Sequence, residues 1–312
     1  DAITTGARNS AFGSTALSGV TIGVDNTGVG HNAGVALTTG NRNVAIGSGS
    51  LASDMAGNNN VAVGYNTMTA SSGSDNTAVG SAALSTLAGG TRNVAIGTDA
   101  LLTFDADDNT AVGYHASRSM INGANNISMG SYAMFSNMNG TEGVAIGAES
   151  LYSTTAVGNT AVGYQALTNV TTGVNNVAVG HQTGAALTTG DRNVLIGKGA
   201  NTAGGSAGTV SDSVIIGSGA NTSSNGSVSV GYNTSVSNTL GFAFGNTAIA
   251  SGPRTIALGH TPTASASGAI AIGADNGLGP TVAAGIESIA IGVTARTGSG
   301  AGNVMVGANT GA

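Results

Sequence analysis

A short phrase recurs along the whole chain, and this repetition restricts the possible folds more than any other feature. The stretch "NTAVGYQAL" at 159–167 has close copies in "NTAVGSAAL" at 76–84 and "NVAIGSGSL" at 43–51. Nineteen copies end their small apolar triplet on a glycine, namely Gly13, Gly30, Gly47, Gly64, Gly80, Gly97, Gly113, Gly130, Gly147, Gly163, Gly180, Gly197, Gly217, Gly231, Gly245, Gly259, Gly273, Gly292 and Gly307. These anchor glycines stand 16 or 17 residues apart up to Gly197, then 20, then 14 four times, and finally 19 and 15 apart. Repetition with so short a period is typical of stacked, similar coils.

Within each copy, larger and smaller apolar residues alternate. The first and third places before the anchor glycine hold mostly Val, Ile, Phe, Leu or Met, and Ala usually stands between them, as in Val44-Ala45-Ile46. Alternation with a period of two predicts a β-strand, and the glycine that follows predicts a turn. We expect the larger residues to fill the core of each coil and the alanine face to allow close approach of another sheet. Those alanines are Ala45, Ala62, Ala78, Ala95, Ala111, Ala161 and Ala178.

A second apolar signal stands three and four residues after the anchor glycine in the long copies, and it predicts a second strand. The pairs are Ala16-Leu17, Ser50-Leu51, Thr67-Met68, Ala83-Leu84, Ala100-Leu101, Ala133-Met134, Ser150-Leu151 and Ala166-Leu167. Two strands in such a short unit cannot bury their own apolar side, so successive coils must stack. We therefore predict an all-β chain, a parallel β-roll or β-solenoid of about 19 coils. Repeats of 16 or 17 residues are expected over 1–200, a transition at 201–213, and mainly 14-residue repeats over 214–312.

Charge and composition exclude several classes of protein. The eight Lys and Arg residues form no cluster and the net charge is −6, so nucleic acid and anionic membranes are not expected as partners. No apolar run approaches the roughly 18 residues of a membrane span, and we expect no membrane insertion by this segment. The absence of Cys excludes disulfides and thiolate metal sites. The start "DAITTGARNS", without Met or a signal pattern, indicates a processed chain or a fragment.

Asparagine occupies the fourth place before the anchor glycine in twelve of the nineteen copies. We call these residues the asparagine ladder: Asn9, Asn26, Asn43, Asn60, Asn76, Asn93, Asn109, Asn126, Asn159, Asn176, Asn193 and Asn303. If coils stack, these residues become vertical neighbours. Asparagine tolerates left-handed backbone conformations and can bond its own turn or the Asn above it. A structural role is therefore predicted in preference to ligand binding.

One place earlier, charged residues of opposite sign fall in successive coils. This charge ladder comprises Arg8, Asp25, Arg42, Asp75, Arg92, Asp108, Arg192 and Asp212. Unlike charges directly opposite each other stabilise a sheet modestly and like charges destabilise it. Because exposed ion pairs contribute little stability, we expect the charge ladder to fix the register, with the partner on the next coil or on a neighbouring chain.

Aromatic residues and histidines recur at the place directly after the anchor glycine. This contact column comprises His31, Tyr65, Tyr114, Tyr164, His181, Tyr232 and His260. Flat amphipathic rings are favoured at interfaces, so the contact column is a candidate surface for a glycan or a protein. In the alternative interpretation, the rings cover the edge of the roll or fill a groove between chains.

The sequence assembles no catalytic or cofactor site. Catalysis needs an activated nucleophile or a paired acid and base, but the histidines fall in different coils, and His115 is expected to point away from Tyr114. The acidic run "DADDN" at 105–109 fits no standard Ca²⁺ loop, which favours a solvated turn over a weak cation site. A phosphate-binding loop of the Gly-x4-Gly-Lys-Ser/Thr kind does not occur. We expect no enzyme activity, no cofactor and no bound metal.

Two known groups of proteins carry similar repeats. The stretch 213–273, with "SVIIG", "SVSVG", "TIALG" and "AIAIG", resembles the head repeats of trimeric autotransporter adhesins of the YadA type. The longer repeats over 9–197 are similar to those in tail-fibre and other appendage proteins of bacteriophages and prophages. The resemblance implies a left-handed parallel β-roll, three copies of which associate side by side as a homotrimer. No coiled-coil heptads and no C-terminal anchor pattern appear, which favours a virion fibre or processed filament over an intact autotransporter.

These observations lead to one main functional hypothesis and two alternatives. The main one is an extracellular structural fibre, a phage tail fibre or similar virion appendage, that projects or forms a host-attachment surface. Its expected partners are itself, a host cell-surface glycan or protein, and other virion or cell-surface proteins. The first alternative is a bacterial surface adhesin that binds a glycan or matrix protein through the contact column. The second is an ice-binding solenoid, indicated by "TTG" at 4–6, 38–40, 171–173 and 188–190.

Overall fold

The chain folds as an all-β parallel β-solenoid of about 18 turns, which confirms the fold class predicted from the repeats. The computed structural model describes residues 6–53, 56–70, 72–87, 89–137, 139–202 and 207–308. The helix within these residues is a single 3-10 turn at Ala207–Thr209. The chain divides into two compact units, Asp1–Gly158 and Asn159–Ala312, and each is described by itself.

The first unit is built on a main parallel sheet to which every coil contributes one strand. In chain order its described strands are β1 (Ser10–Phe12), β2 (Thr27–Val29), β3 (Val44–Ile46), β4 (Val61–Val63), β5 (Thr77–Val79), β6 (Thr86–Leu87), β7 (Val94–Ile96), β8 (Thr103–Phe104), β9 (Thr110–Val112), β10 (Ile127–Met129) and β11 (Val144–Ile146). β6 pairs with β8, and each of the others pairs in parallel with the next along the chain. Like residues lie opposite each other, for example Val44 and Val61.

The second unit has two parallel sheets. Its described strands are β12 (Thr160–Val162), β13 (Val177–Val179), β14 (Val194–Ile196), β15 (Asn201–Thr202), β16 (Val214–Ile216), β17 (Asn221–Thr222), β18 (Val228–Val230), β19 (Ser235–Val236), β20 (Phe242–Asn246), β21 (Ile249–Ala250), β22 (Ile256–His260), β23 (Thr263–Ala264), β24 (Ile270–Ala274), β25 (Val282–Ala283), β26 (Ile289–Ile291), β27 (Arg296–Thr297) and β28 (Val304–Val306). The odd-numbered strands from β15 to β27 form one sheet, and the remaining strands form the other. The second sheet of this unit has seven strands, whereas beside its main sheet the first unit has the pair β6–β8 among the described strands.

The anchor glycines stand where coils stack with their backbones in contact. Gly231 has φ of 132°, and a Cβ at this position would lie 1.7 Å from the carbonyl oxygen of Gly245 in the next coil. Both the conformation and the close approach exclude a side chain. The repeated glycine therefore follows from the stacking as well as from the turn.

The predicted second strand is wrong in all eight long copies that carry its signal. The predicted pairs lie in turns, and their larger residue adopts a left-handed backbone, with φ of 51° at Leu17 and 49° at Leu84. Leu is strained in this conformation, but the turn places both side chains in the core, where each is at most 1% exposed. In the short copies the corresponding stretch is extended, as β17 and β19.

The expected orientation of the main strands is also wrong. The central alanines face the core of their own coil, and Ala45 and Ala95 are fully buried, whereas Ile46 and Ile96 are 39% and 41% exposed. The core has little depth, since a Cβ added at Gly28, in the alanine position, would lie 2.8 Å from Cγ of Leu17. Leu and Met from the turns already fill this space, so only small residues fit on the inner side of the strand.

The larger strand residues consequently form an apolar surface, which we call the outward face. It consists of the first and third residues of each main strand. In the first unit its more exposed members include Val29, Ile46, Val79, Ile96, Ile127, Met129 and Ile146, and in the second Val179, Ile196, Phe242, Phe244, Ile256 and Ile291. Scattered exposed hydrophobic residues are normal on a monomer, but contiguous apolar surfaces mark interaction sites.

Candidate functional site

Ten of the twelve residues of the asparagine ladder are buried, and the side chains of the ladder bond from coil to coil. The backbone N–H of Asn26 donates to Oδ1 of Asn9 at 2.8 Å, and Nδ2 of Asn26 donates to the carbonyl of Gly40 at 2.8 Å. The same two bonds recur at Asn176, with Asn159 and Gly190 as partners. The amides of Asn26 and Asn176 are thus used within the chain, as a structural role of the ladder requires.

The last residue of the asparagine ladder differs from the others in its exposure and its hydrogen bond. Asn303, in the last described coil, is exposed, and its Nδ2 donates to the carbonyl of Gly300 at 3.0 Å. The left-handed backbone that we expected at these asparagines falls one place earlier, in the charge ladder, where φ lies between 55° and 62°.

The charge ladder forms ion pairs between successive coils. Arg92 holds Asp108 by two hydrogen bonds, Nε to Oδ1 at 2.6 Å and Nη2 to Oδ2 at 2.8 Å. The pairs Arg8–Asp25 and Arg192–Asp212 have the same two-bond geometry. The hydrogen bonds from arginine lower the pKa values of Asp25, Asp108 and Asp212 below the ordinary aspartate value.

Arg42 and Asp75 are joined through an intervening asparagine. Nε of Arg42 donates to Oδ1 of Asn59 at 2.7 Å, and Nδ2 of Asn59 donates to Oδ1 of Asp75 at 2.8 Å. The side chain of Asn59 supplies both a donor and an acceptor, so it continues the alternation of the charge ladder without a charge of its own.

The contact column is exposed at all seven positions, from His31 to His260. Tyr65 is 62% exposed. Among the described residues, the two rings of the column that touch each other are Tyr164 and His181, whose centroids lie 5.2 Å apart. Tyr114 belongs instead to a larger group of rings described next. The contact column is therefore a row of separate exposed side chains and not a continuous surface.

The structure brings together a cluster of seven residues, of which the sequence pattern marks Tyr114 alone. We call it the aromatic patch, and it comprises Asp99, Tyr114, His115, Arg118, Tyr132, Phe135 and Tyr152. Asp99, His115 and Tyr132 hold the second place after successive anchor glycines, and Arg118, Phe135 and Tyr152 hold the fifth. Stacking of coils therefore turns two places of the repeat into two adjacent columns.

The rings of the aromatic patch pack by faces and edges. The rings of Tyr114 and His115 stack at 3.7 Å between centroids, which corrects the expectation that His115 points away from Tyr114. Tyr132 meets Tyr114 edge-on at 5.5 Å, and Phe135 stacks on Tyr152 at 5.2 Å. Partial burial and, to a smaller extent, the neighbouring Tyr114 raise the pKa of Tyr132 above the ordinary tyrosine value.

A polar group borders these rings. Oδ2 of Asp99 lies 3.2 Å from Nε2 of His115 and 3.2 Å from Nε of Arg118. The His115 side chain is 16% exposed, and its Nδ1 is buried without a hydrogen-bond partner among the described residues. A buried ring nitrogen without a hydrogen-bond partner carries an energetic cost.

Two minor sequence signals, the acidic run at 105–109 and the "TTG" stretches, take part in hydrogen bonds between coils. In the run 105–109, Asp107 accepts hydrogen bonds from the backbone N–H and hydroxyl of Thr91, and Asp108 holds Arg92. Among the described residues, no group of His, Asp and Glu is placed to hold a metal ion. The hydroxyl of Thr171 donates to the carbonyl of Thr188, and positions 4 and 5 of the first "TTG" lie outside the described residues.

No protein-family model matches this chain, and no curated protein matches it significantly. In the part of the chain that the structure describes, no helix is long and apolar enough to cross a bilayer.

Proposed function

We propose that this chain forms the shaft of an extracellular fibre in which three copies associate side by side through their outward faces. The observation that supports the proposal is the outward face itself, a strip along the main sheet of each unit in which Val, Ile, Leu, Met and Phe predominate over the threonines at 27, 77, 110 and 160. A solenoid that works alone does not need apolar residues on two sides of one strand. Burial of this strip against other copies would remove it from water.

The proposal includes a role in attachment to a host cell, as part of a virion appendage or a similar surface structure. The stacked coils supply length and stiffness through parallel hydrogen-bond ladders, and the exposed residues beyond the outward face supply recognition. Its resemblance to YadA-type heads and to tail-fibre repeats supports a left-handed roll and a trimer.

The molecular mass in solution tests the proposal directly. Light scattering coupled to size exclusion is expected to give three chains of 29.6 kDa each. The triple variant Ile46→Thr, Ile96→Thr, Ile146→Thr is expected to shift the mass to one chain while the β-sheet circular dichroism persists. The matched control, Gln165→Ser with Gln182→Ser, changes one half-buried and one exposed residue of another column and should stay trimeric. A compact monomer for the native chain would refute the proposal.

The exposure of the contact column supports a second candidate, a bacterial surface adhesin of the same architecture. Replacement of Tyr65, Tyr114 and Tyr164 by Ser is expected to abolish adhesion to glycan or matrix protein without loss of the trimer. Adhesion that survives these three changes would leave the column a purely structural role.

A further inference from the structure

The aromatic patch is not needed to close the coils that carry it. In other coils of the first unit its two columns hold mostly small or polar residues, such as Thr15, Asn66 and Ala82 at the second place and Ser18 and Thr69 at the fifth. Those coils have the same turn and the same left-handed backbone at the second place. The rings therefore add something that the fold does not require.

The patch also keeps an arrangement that costs stability. His115 Nδ1 is buried without a partner while its ring is held by Tyr114 on one side and by Asp99 at 3.2 Å. Buried polar atoms are rarely left unsatisfied without a functional reason. In a chain with six Tyr, five Phe and no Trp, three tyrosines meet here within three coils.

We propose that the aromatic patch binds the pyranose rings of a neutral polysaccharide, an inference that rests on the attachment role proposed above. A pyranose has an apolar face of C–H groups and a rim of hydroxyls. The half-buried rings of Phe135 and Tyr152 offer flat apolar surface, and rings of this kind suit ligands with one apolar side and one polar side. The hydroxyls of Tyr114 and Tyr132 supply donors and acceptors at the edge.

The size of the patch favours a saccharide over a protein partner. Its residues lie in four coils at three places of the repeat, and the coils before and after carry small or polar side chains at the second and fifth places, namely Ala82, Ser85, Gln165 and Thr168. A stable protein interface needs about 800 Å² on each partner, and an aromatic surface this narrow supplies less. Short saccharides are commonly held by a few rings with convergent polar groups at their edges.

The charges of the patch favour a neutral saccharide. Arg118 is the cation of the patch, and its Nε is bonded to Asp99 at 3.2 Å. Glu149 follows Tyr132 in the same column, and the whole chain carries a net charge of −6. A sulfated or carboxylated glycan would therefore have to compete with Asp99 for Arg118 in an acidic surrounding.

Affinity electrophoresis of the full chain in gels with dextran, mannan or galactan tests this inference, with dextran sulfate as the matched anionic probe. At least one neutral polysaccharide is expected to retard the chain, and dextran sulfate should not. The double variant Phe135→Ser, Tyr152→Ser is expected to weaken binding by about tenfold or more. The conservative variant Tyr152→Phe keeps the ring and should retain binding.

Leu240→Ser with Leu278→Ser provides the control, because both leucines are exposed and lie outside the aromatic patch, the contact column and the outward face. Three outcomes overturn the inference: no retardation by any neutral polysaccharide, equal loss in the control, or binding to a host protein alone. Circular dichroism of each variant verifies that the coils remain folded. A trimer without polysaccharide binding would refute this inference alone, and a monomer that binds polysaccharide would refute the proposed fibre alone.

Discussion

Asn43 donates its side-chain Nδ2 to the backbone carbonyl of Gly57 across 2.8 Å. Its Oδ1 accepts the backbone N–H of Asn60 at 2.9 Å, and its own N–H donates to Asn26 at 2.9 Å. The side chain and the backbone N–H of this fully buried residue thus link three successive coils. Removal of this amide deletes the hydrogen bonds that it forms with two backbone groups of the next coil.

Replacement of Asn43 by Ala is therefore expected to lower the free energy of unfolding by about 3 kcal/mol, because the buried side-chain hydrogen bonds to the N–H of Asn60 and the carbonyl of Gly57 are lost. Urea titration followed by circular dichroism measures the loss. Asn303→Ala is the matched control at the exposed end of the ladder, and it should change stability by less than about 0.5 kcal/mol. Equal effects at both positions would show that burial does not matter to this ladder.

The orientation of the strands yields a second prediction. Ala95→Leu places a larger side chain in a core without space, and we expect a loss of about 2 to 3 kcal/mol or failure to fold. Ile96→Thr changes the outward face, and the coil should keep its β-sheet spectrum. Urea titration and circular dichroism compare the two variants. If Ala95→Leu were tolerated and Ile96→Thr unfolded the chain, the assignment of inner and outer faces would be wrong.

The main strands could be predicted from the sequence because both of their signals, the alternation of residue size and the glycine that follows, are carried by residue type alone. Val44-Ala45-Ile46 shows the period of two, and Gly47 ends it. The same triplet does not show which residues face the core, since the residues on both faces of the strand are apolar and differ only in their size. The depth of the core, set by Leu51 and its equivalents in the turns, decides which face fits.

Other features escaped prediction for related physical reasons. Leucine is not a residue associated with left-handed backbone, so the turns around Leu17 and Leu84 looked like strands. The aromatic patch was missed because its columns contain different residue types from coil to coil, such as Asp99, His115 and Tyr132. The asparagine ladder, by contrast, repeats one letter and was visible at once.

Acid is expected to weaken the contacts between coils through the charge ladder. Hydrogen bonds from arginine hold the pKa values of Asp25, Asp108 and Asp212 below the unfolded value. The resulting stability is therefore fully present above the unfolded pKa and is lost as the pH falls through the folded pKa. The thermal midpoint should stay level from neutral pH to about pH 5 and decline below about pH 4.

The triple variant Asp25→Asn, Asp108→Asn, Asp212→Asn should melt earlier at neutral pH and show a shallower decline in acid. Differential scanning calorimetry at stepped pH measures both. Addition of 1 M NaCl should reduce the difference between native chain and variant, since salt screens exposed charges. An identical pH profile for the two chains would mean that these ion pairs do not stabilise the fold.

Backbone contact between coils gives the last prediction. Gly231→Ala forces a Cβ to within 1.7 Å of the Gly245 carbonyl oxygen, at a φ of 132° that alanine strongly disfavours. We expect a loss of about 3 kcal/mol or more in the free energy of unfolding, measured by urea titration. Gly298→Ala is the matched control, because a Cβ there meets no atom within 4 Å and its backbone is not left-handed. A stable Gly231→Ala chain would show that the coils can separate without loss of the fold.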